Sequence, residues 1–376
     1  MTKDWQVKML GDVCKISTGK SNANESVIDG KYAFFDRSKT IKKSNHFLFD
    51  CDALIIPGEG AQFFPRFYSG KFNLHQRAYA LFEFEKDVDI RFVEYQLISG
   101  HKYFEEVAVG ATVKSLRLRH FQDFKLFLPS LNEQKRIVKI LDDKVELIEN
   151  LKSITNEQIK GSQELFENRL NELLFQKDDD WIDAVLGDLC ESVQYGSSLK
   201  SKQKGKVPVL RMGNIQNGQI DWKKLVYTDN EQEIKKYLLE KDDVLFNRTN
   251  SPELVGKTAI YKGDEPAIFA GYLIRINRKE SYLDAGFLNY YLNSSFARKY
   301  GVSIMNRSTN QANINGAKLK KYPISAPPLK KQKSIVQELD ILKDYLKDFE
   351  EIIHKKIAEL EELKRSYFHE AFSGKL

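Results

Sequence analysis

Leu128–Phe175 reads LPSLNEQKRIVKILDDKVELIENLKSITNEQIKGSQELFENRLNELLF, and the chain contains this stretch twice. A shift of 198 residues lays it, without a gap, on Ala326–Ser373, APPLKKQKSIVQELDILKDYLKDFEEIIHKKIAELEELKRSYFHEAFS. Pro129 falls on Pro327, Leu131 on Leu329, Gln134-Lys135 on Gln332-Lys333 and Ile137-Val138 on Ile335-Val336. Asp142 then meets Asp340, and Glu172 meets Glu370. A period this long exceeds that of any solenoid, so the repeating unit is a domain followed by a helix.

Each copy predicts one long helix. In the second, steps of four and three pass through Ile335, Leu339, Leu342, Leu346, Phe349, Ile353, Lys356, Leu360, Leu363 and Tyr367. All but Lys356 are apolar, a seam sustained for about five heptads. The first copy carries Ile137, Leu141 and Ile148 in register, but Thr155, Gln158 and Ser162 make its middle polar. Ser130-x-x-Glu133 predicts a capping box at the first helix start. The second copy has Pro328 and Lys331 there, so its start rests on proline near the first helical position. At ~1.5 Å per residue, about 44 helical residues would span about 65 Å. These lengths suit spacers.

Between the helices lie two longer blocks. The first opens Trp5-Gln-Val-Lys-Met-Leu-Gly11-Asp12-Val-Cys14, and the second opens Trp181-Ile-Asp-Ala-Val-Leu-Gly187-Asp188-Leu-Cys190. Here the offset is 176, so the second block holds 22 additional residues before the helices return to register. In the first, residues 32–36, 53–57 and 77–85 are strand-like, separated by DGK, PGEG and YSGK turns. In the second, 206–212, 243–249, 258–261 and 267–277 play that part. Helical stretches follow at 89–106 and 283–300, where Phe92 matches Phe287 and Tyr95 matches Tyr290. The fold class is α+β, divided as residues 1–127, the helix 128–177, residues 178–325 and the helix 326–376.

Charge follows the same division. The formal net charge is +6. Residues 1–127 contribute +3 and 178–325 contribute +4, whereas the helical segments contribute −1 and zero. The positive excess therefore sits in the blocks, as contact with phosphates requires. No run of 18 apolar residues exists, and MTKDWQVKMLGD holds no apolar signal core, so a soluble cytoplasmic protein is expected. Cys14, Cys51 and Cys190 have no CxxC spacing and suit neither a zinc site nor a disulfide framework. Ser17-Thr-Gly19-Lys20-Ser21 resembles part of a phosphate loop, but Cys14 stands where its first glycine belongs. The six histidines are scattered, and no Asn-Pro-Pro-aromatic motif occurs. The chain shows no catalytic constellation and no metal site.

The polar loops of the blocks carry side chains suited to nucleic acid. In the first block the candidates are Lys20; Lys39, Lys42 and Lys43; Gln62 and Arg66; and Lys114, Arg117 and Arg119. In the second they are Ser198, Lys200, Lys202 and Lys204; Asn247, Arg248, Thr249 and Asn250; and Arg307, Asn310, Gln311 and Asn313. Arginine and lysine can pair with guanine, asparagine and glutamine with adenine, while lysine, serine and threonine serve phosphates. A rival reading is a coiled-coil scaffold whose blocks bind other proteins.

With the Trp-x4-Leu-Gly-Asp openings and the Pro-x-Leu-x2-Gln helix starts both in view, the chain resembles the specificity subunits of type I restriction-modification systems over essentially its whole length. The family usually shows Pro-Pro-Leu-x-Glu-Gln; Pro129-Ser130-Leu131-Asn132-Glu133-Gln134 departs at the second proline and Lys331 replaces the glutamate in the second copy. The closing Phe372-Ser373-Gly374-Lys375-Leu376 is similar too. The resemblance implies two target-recognition domains held apart by two long helices packed as an antiparallel coiled coil with pseudo-two-fold symmetry. It also implies a non-catalytic subunit that recognises a split site in double-stranded DNA. Methyltransferase subunits using S-adenosylmethionine and a motor-nuclease subunit using ATP and magnesium would supply the chemistry, leaving this chain without a cofactor.

Overall fold

The apolar seams form as their spacing predicts. The computed structural model describes residues 5–308 and 311–376, and its longest elements are the helices Leu131–Phe175 and Leu329–Phe372. The chain divides into one unit of residues 1–157 with 353–376, and another of residues 158–352. Each unit thus takes one block and part of both long helices. In the first unit Arg136 donates to the Leu376 carbonyl at 2.7 Å, Lys364 pairs with Glu149 at 2.8 Å, and Lys152 pairs with Glu361. In the second, Gln163 meets Glu350 at 2.8 Å and Arg169 meets Glu338 at 2.6 Å. One helix ascends as the other descends, so the pairing within each unit is antiparallel.

Ile137, Leu141, Ile148, Ile335, Leu339, Ile353 and Leu360 are buried on this seam. Phe349, expected there as well, is 36% exposed, and Leu342 and Leu346 are only half-buried. These three line an open groove whose other wall includes small Ser162, charged Arg169 and Leu165, which is itself largely exposed. Thr155 is buried despite its hydroxyl because it donates to the Leu151 carbonyl at 2.6 Å. Among the described residues no helix is long and apolar enough to cross a membrane.

The first block folds around a six-stranded sheet in the order Lys15–Thr18, Ala78–Phe82, Phe49–Pro57, Arg66–Leu74, Tyr32–Phe35, Lys42–Ser44. All neighbours are antiparallel except Tyr32–Phe35 with Arg66–Leu74. YSGK, expected as a turn, lies inside the nine-residue strand Arg66–Leu74, where Gly70 absorbs a φ of +104°. The second block has its own six-stranded sheet, Cys190–Tyr195, Leu273–Arg278, Val244–Asn247, Thr258–Ile260, Gly218–Ile220, Ile215–Gln216. Val207–Leu210 forms a separate three-stranded sheet with Val226–Thr228 and Ile268–Phe269. The hairpin Ile215–Ile220 and the helix Glu231–Tyr237 have no counterpart in the first block, and they take up much of the extra length. Each predicted helical stretch is broken into two helices, at Gly100 and at Ser294.

Each block is closed by pairing its first strand with its last: Gln6–Met9 with Lys125–Leu128, and Ile182–Val185 with Pro323–Ala326. The Leu-Gly-Asp turn follows directly, with the Leu10 amide on the Phe124 carbonyl and the Leu186 amide on the Tyr322 carbonyl, both at 2.8 Å. A Cβ on Gly11 would lie 3.0 Å from Gln122, and one on Gly187 would lie 3.1 Å from Lys320. That close approach explains the glycine in both openings.

Block and helix are joined by a buried glutamine. Gln134 Oε1 accepts from the Asp89 amide at 2.8 Å, while Nε2 donates to the carbonyls of Asp87 (3.0 Å) and Pro129 (2.9 Å). Gln332 repeats this with the Asp284 amide (2.8 Å), Tyr282 (2.8 Å) and Pro327 (2.7 Å). Two turns on, the Tyr95 hydroxyl binds Asp142 and the Tyr290 hydroxyl binds Asp340, the latter at 2.6 Å. Trp5 and Trp181 lie edge-on to Phe92 and Phe287. The first helix start keeps only half of its expected capping box: Ser130 Oγ accepts from the Glu133 amide at 3.4 Å, but the Glu133 carboxylate is taken by Arg136.

Candidate nucleic-acid interface

Loops from distant parts of each block are laced together by equivalent backbone bonds. In the first block the Gln76 amide meets Ser21 O (2.9 Å), His75 meets Phe35 O (2.9 Å), Gly58 meets Arg77 O (2.8 Å) and Leu116 meets Gly58 O (2.8 Å). In the second, Gly271 meets Ser197 O (2.7 Å), Ala270 meets Leu210 O (2.9 Å), Arg248 meets Tyr272 O (3.0 Å) and Ile314 meets Arg248 O (2.9 Å). The lacing repeats although loop lengths differ. Its tightest point explains Gly19: a Cβ there would stand 1.8 Å from the Leu74 carbonyl oxygen, and one on Gly196 would stand 2.3 Å from that of Phe269. The glycine of STGKS thus serves strand packing.

A cleft opens beside the lacing in each block. The first is lined by Asn22, Asn24, Asp36, Arg37, Glu59, His75, Gln76 and Arg77. Arg77 pairs with Glu59 at 2.6 Å, Gln76 donates to Asn22 at 2.6 Å, and Lys42 pairs with Asp36 at 2.7 Å. Burial pushes the Asp36 carboxyl upward, but Lys42 and the Ser38 hydroxyl and amide outweigh it and hold it below the ordinary range. Burial lowers the His75 pKa, so its ring is neutral at pH 7, and Nδ1 accepts from the Arg77 amide at 3.1 Å. The cleft of the second block has a different lining: Arg211, Met212, Gln216, Asp221, Lys223, Lys224, Asn250 and Lys257. Asn214, fully buried beneath it, donates to the carbonyls of Asp221 (2.8 Å) and Lys223 (3.0 Å) and accepts from the Arg211 amide (2.9 Å). The cleft is rigid and cationic.

The candidates read from sequence fall into three groups. Lys20, Lys39, Lys43, Lys114, Arg117, Arg119, Ser198, Lys200, Lys204, Arg307 and Gln311 are exposed and available to a ligand. Others are spent on the fold. Lys42 is held by Asp36 and Lys202 by Asp229 at 3.0 Å. Arg66 donates to the carbonyls of Ser38 and Lys39, bracing that loop, and Gln62 sits apart beside Phe368 and His369. Arg248 stacks on Tyr195 at 4.8 Å and donates to Gly271 O at 3.1 Å. The third group corrects the sequence reading. Asn247 and Thr249 are buried in strands and not displayed on a loop, and half-buried Asn313 donates to Thr249 Oγ1 at 2.6 Å. Asn250 does line the cleft, whereas Asn310 lies outside the described residues. Missed in the sequence were Arg37, His75, Gln76 and Arg77 in the first cleft, and Arg211, Lys223, Lys224 and Lys257 in the second. Cys14 and Cys190 pack into the cores of their blocks, and burial pushes both thiols up to about 12.

One pattern of laced loops, on two blocks that each clamp a long helix through the same glutamine, defines a duplicated recognition module. The family model for the type I restriction modification DNA specificity domain matches residues 2–160 and again residues 178–362, and the chain belongs to that family. It is 24% identical to the type I restriction enzyme EcoDI specificity subunit of Escherichia coli, over 99% of this chain and 89% of that one. To the MjaVIII specificity subunit of Methanocaldococcus jannaschii it is 25% identical, over 100% and 93%. These relatives are specificity subunits, and the chain is accordingly a recognition component and not a catalytic one. The fold agrees. The HsdS subunit of Thermoanaerobacter tengcongensis superposes with a TM-score of 0.54 at 17% identity, covering 100% of this chain and 98% of that one. A chain solved in work on complex assembly and conformational transition of the type I R-M system superposes at 0.74 with 18% identity, over 100% and 99%.

Proposed function

We propose that the chain recognises a bipartite site in double-stranded DNA, each block reading one half-site through its laced loops and cleft. The observation that carries this is the repetition of the same backbone lacing of polar loops, at equivalent positions, on both blocks. Phosphate contacts would set register, and base-edge contacts in the major groove would set sequence. The long helices would fix the separation of the half-sites. Catalysis falls to partner subunits: methyltransferases that modify adenine with S-adenosylmethionine, and a motor-nuclease that uses ATP and magnesium to cut unmodified DNA. On this reading the protein works in the cytoplasm, beside the DNA it surveys. A scaffold that binds only proteins would not need the cationic cleft of the second block.

Replacing residues 178–325 with the corresponding block of another specificity subunit tests the reading. Adenine-methylation mapping of the host genome is expected to show one half of the motif changed and the other intact. A change in both halves would defeat independent readout. Exposed Arg307 provides a finer test. Arg307→Ala is expected to cost about 1–3 kcal/mol of binding and to relax specificity at one base, the signature of guanine contact. A uniform loss across all sequences, with a shallower salt dependence, would assign Arg307 to phosphate instead.

A further inference from the structure

We propose that the segment 211–225, together with Lys257, forms a phosphate-binding cleft that grips the duplex backbone at the second half-site. This rests on the DNA-recognition reading above and names where the duplex backbone is gripped. Arg211, Lys223, Lys224 and Lys257 line one concavity, and among the described residues none has a carboxylate within ion-pair distance. Four other cations of the same block are neutralised in pairs: Lys202 with Asp229, Lys206 with Glu231, Arg275 with Asp243 and Arg278 with Glu280. The one carboxylate lining the cleft, Asp221, accepts the Lys223 amide at 3.1 Å. Four like charges without counter-ions repel, and a polyanion carrying one charge per ~1.7 Å of axis relieves that repulsion.

The cleft is also held open. Arg211 Nη2 donates to Lys224 O at 3.2 Å, and Asn214 ties the loop beneath it. The tip of the adjoining hairpin is anchored from outside: Lys343 Nζ reaches Asn217 O at 2.8 Å, and Asn289 Nδ2 reaches Gly218 O at 3.0 Å. Charge displayed on an ordered frame loses little entropy when a ligand arrives. The cleft of the first block differs in kind, because Glu59 and Asp36 there balance Arg77 and Lys42.

The test is the salt dependence of binding, measured on the full chain co-purified with its native partners, using a 30-base-pair duplex of mixed sequence and one carrying the methylated motif. The variant is Lys223→Gln with Lys224→Gln and Lys257→Gln; Arg211 is left in place because it braces the loop. Each phosphate contact contributes about 0.9 to the slope of log K against log salt, so the slope is expected to flatten by about 2.7. Between 50 and 200 mM salt, the parent should then lose about 40-fold more affinity than the variant. The methylated motif should stay the same, and Lys202→Gln, whose partner is Asp229, should leave the slope unchanged. Should the triple variant unfold, Lys257→Gln alone carries the test at about 0.9. A slope equal to the parent's, or an altered base in the motif, overturns the phosphate assignment. A parent that shows no preference for the motif duplex would defeat the underlying reading of DNA recognition.

Discussion

Inserting one seam-preserving heptad into each long helix, near Thr155 and Ile353, is expected to lengthen the unspecified spacer of the methylated motif by about three base pairs, or to abolish binding. Seven residues at ~1.5 Å add roughly 10 Å, and duplex DNA rises ~3.4 Å per pair. Both helices must change together, because within each unit their side chains pair antiparallel and a single insertion would slip Lys152 from Glu361 or Arg169 from Glu338. The chosen positions fall close to where both helices pass from one unit to the other, so neither cleft is disturbed. Three base pairs also rotate the second half-site by roughly 100°, since a turn takes about 10–10.5 pairs. Twist in the helices and bending of the duplex must absorb this, and affinity should fall even where the new spacing is accepted. Methylation mapping of the variant decides the matter. An unchanged spacer with undiminished modification would show that the helices do not measure the distance.

Gln332→Leu is expected to destabilise the second unit by about 3–6 kcal/mol. The substitution keeps the volume but strands the Asp284 amide and the carbonyls of Tyr282 and Pro327, each buried group costing about 1–3 kcal/mol when left without a partner. For a unit of this size that should lower the melting temperature by roughly 10 °C or more. Gln134→Leu should act alike on the first unit. Differential scanning calorimetry of the full chain checks both, and a loss below 1 kcal/mol would mean that water replaces the amide without penalty. The matched pair explains why Gln stands at both helix starts while the neighbouring Glu133 and Lys331 differ. The glutamine fastens the helix to its block, whereas Glu133 reaches only Arg136.

The duplication, the α+β blocks and the long helices were legible because each rests on spacing, and spacing survives in a bare sequence. The seam shows where that reading stops. Phe349 satisfies the heptad yet lies exposed, because burial also depends on the opposing residue, and Ser162 is too small to cover it. The clefts were harder still. Asn247 and Thr249 look like loop polars but occupy strands, so their side chains face inward. Arg211, Lys223, Lys224 and Lys257 gather only after a hairpin and two strand ends fold together. Comparing the two copies could not single out Lys223 and Lys224, because they follow directly on the hairpin the first block lacks. Gln134 and Gln332 were visible as a match, but their role depends on backbone groups more than forty positions away.

The first block's core is finished by the far end of the chain. Phe368 packs on Tyr95, Phe372 lies edge-on to Phe92, and Ala371 is fully buried among them. The second unit, residues 158–352, is one continuous span. On the ribosome, where synthesis proceeds from the N-terminus at ~5–20 residues per second, birth order and closing order therefore differ. The second unit has all its parts as soon as residue 352 emerges, while the earlier-made block still waits for Phe368. During that interval the apolar face around Phe92 and Tyr95 stands open to solvent. The half of the molecule that is made first is the half that chaperones and proteases have longest to inspect.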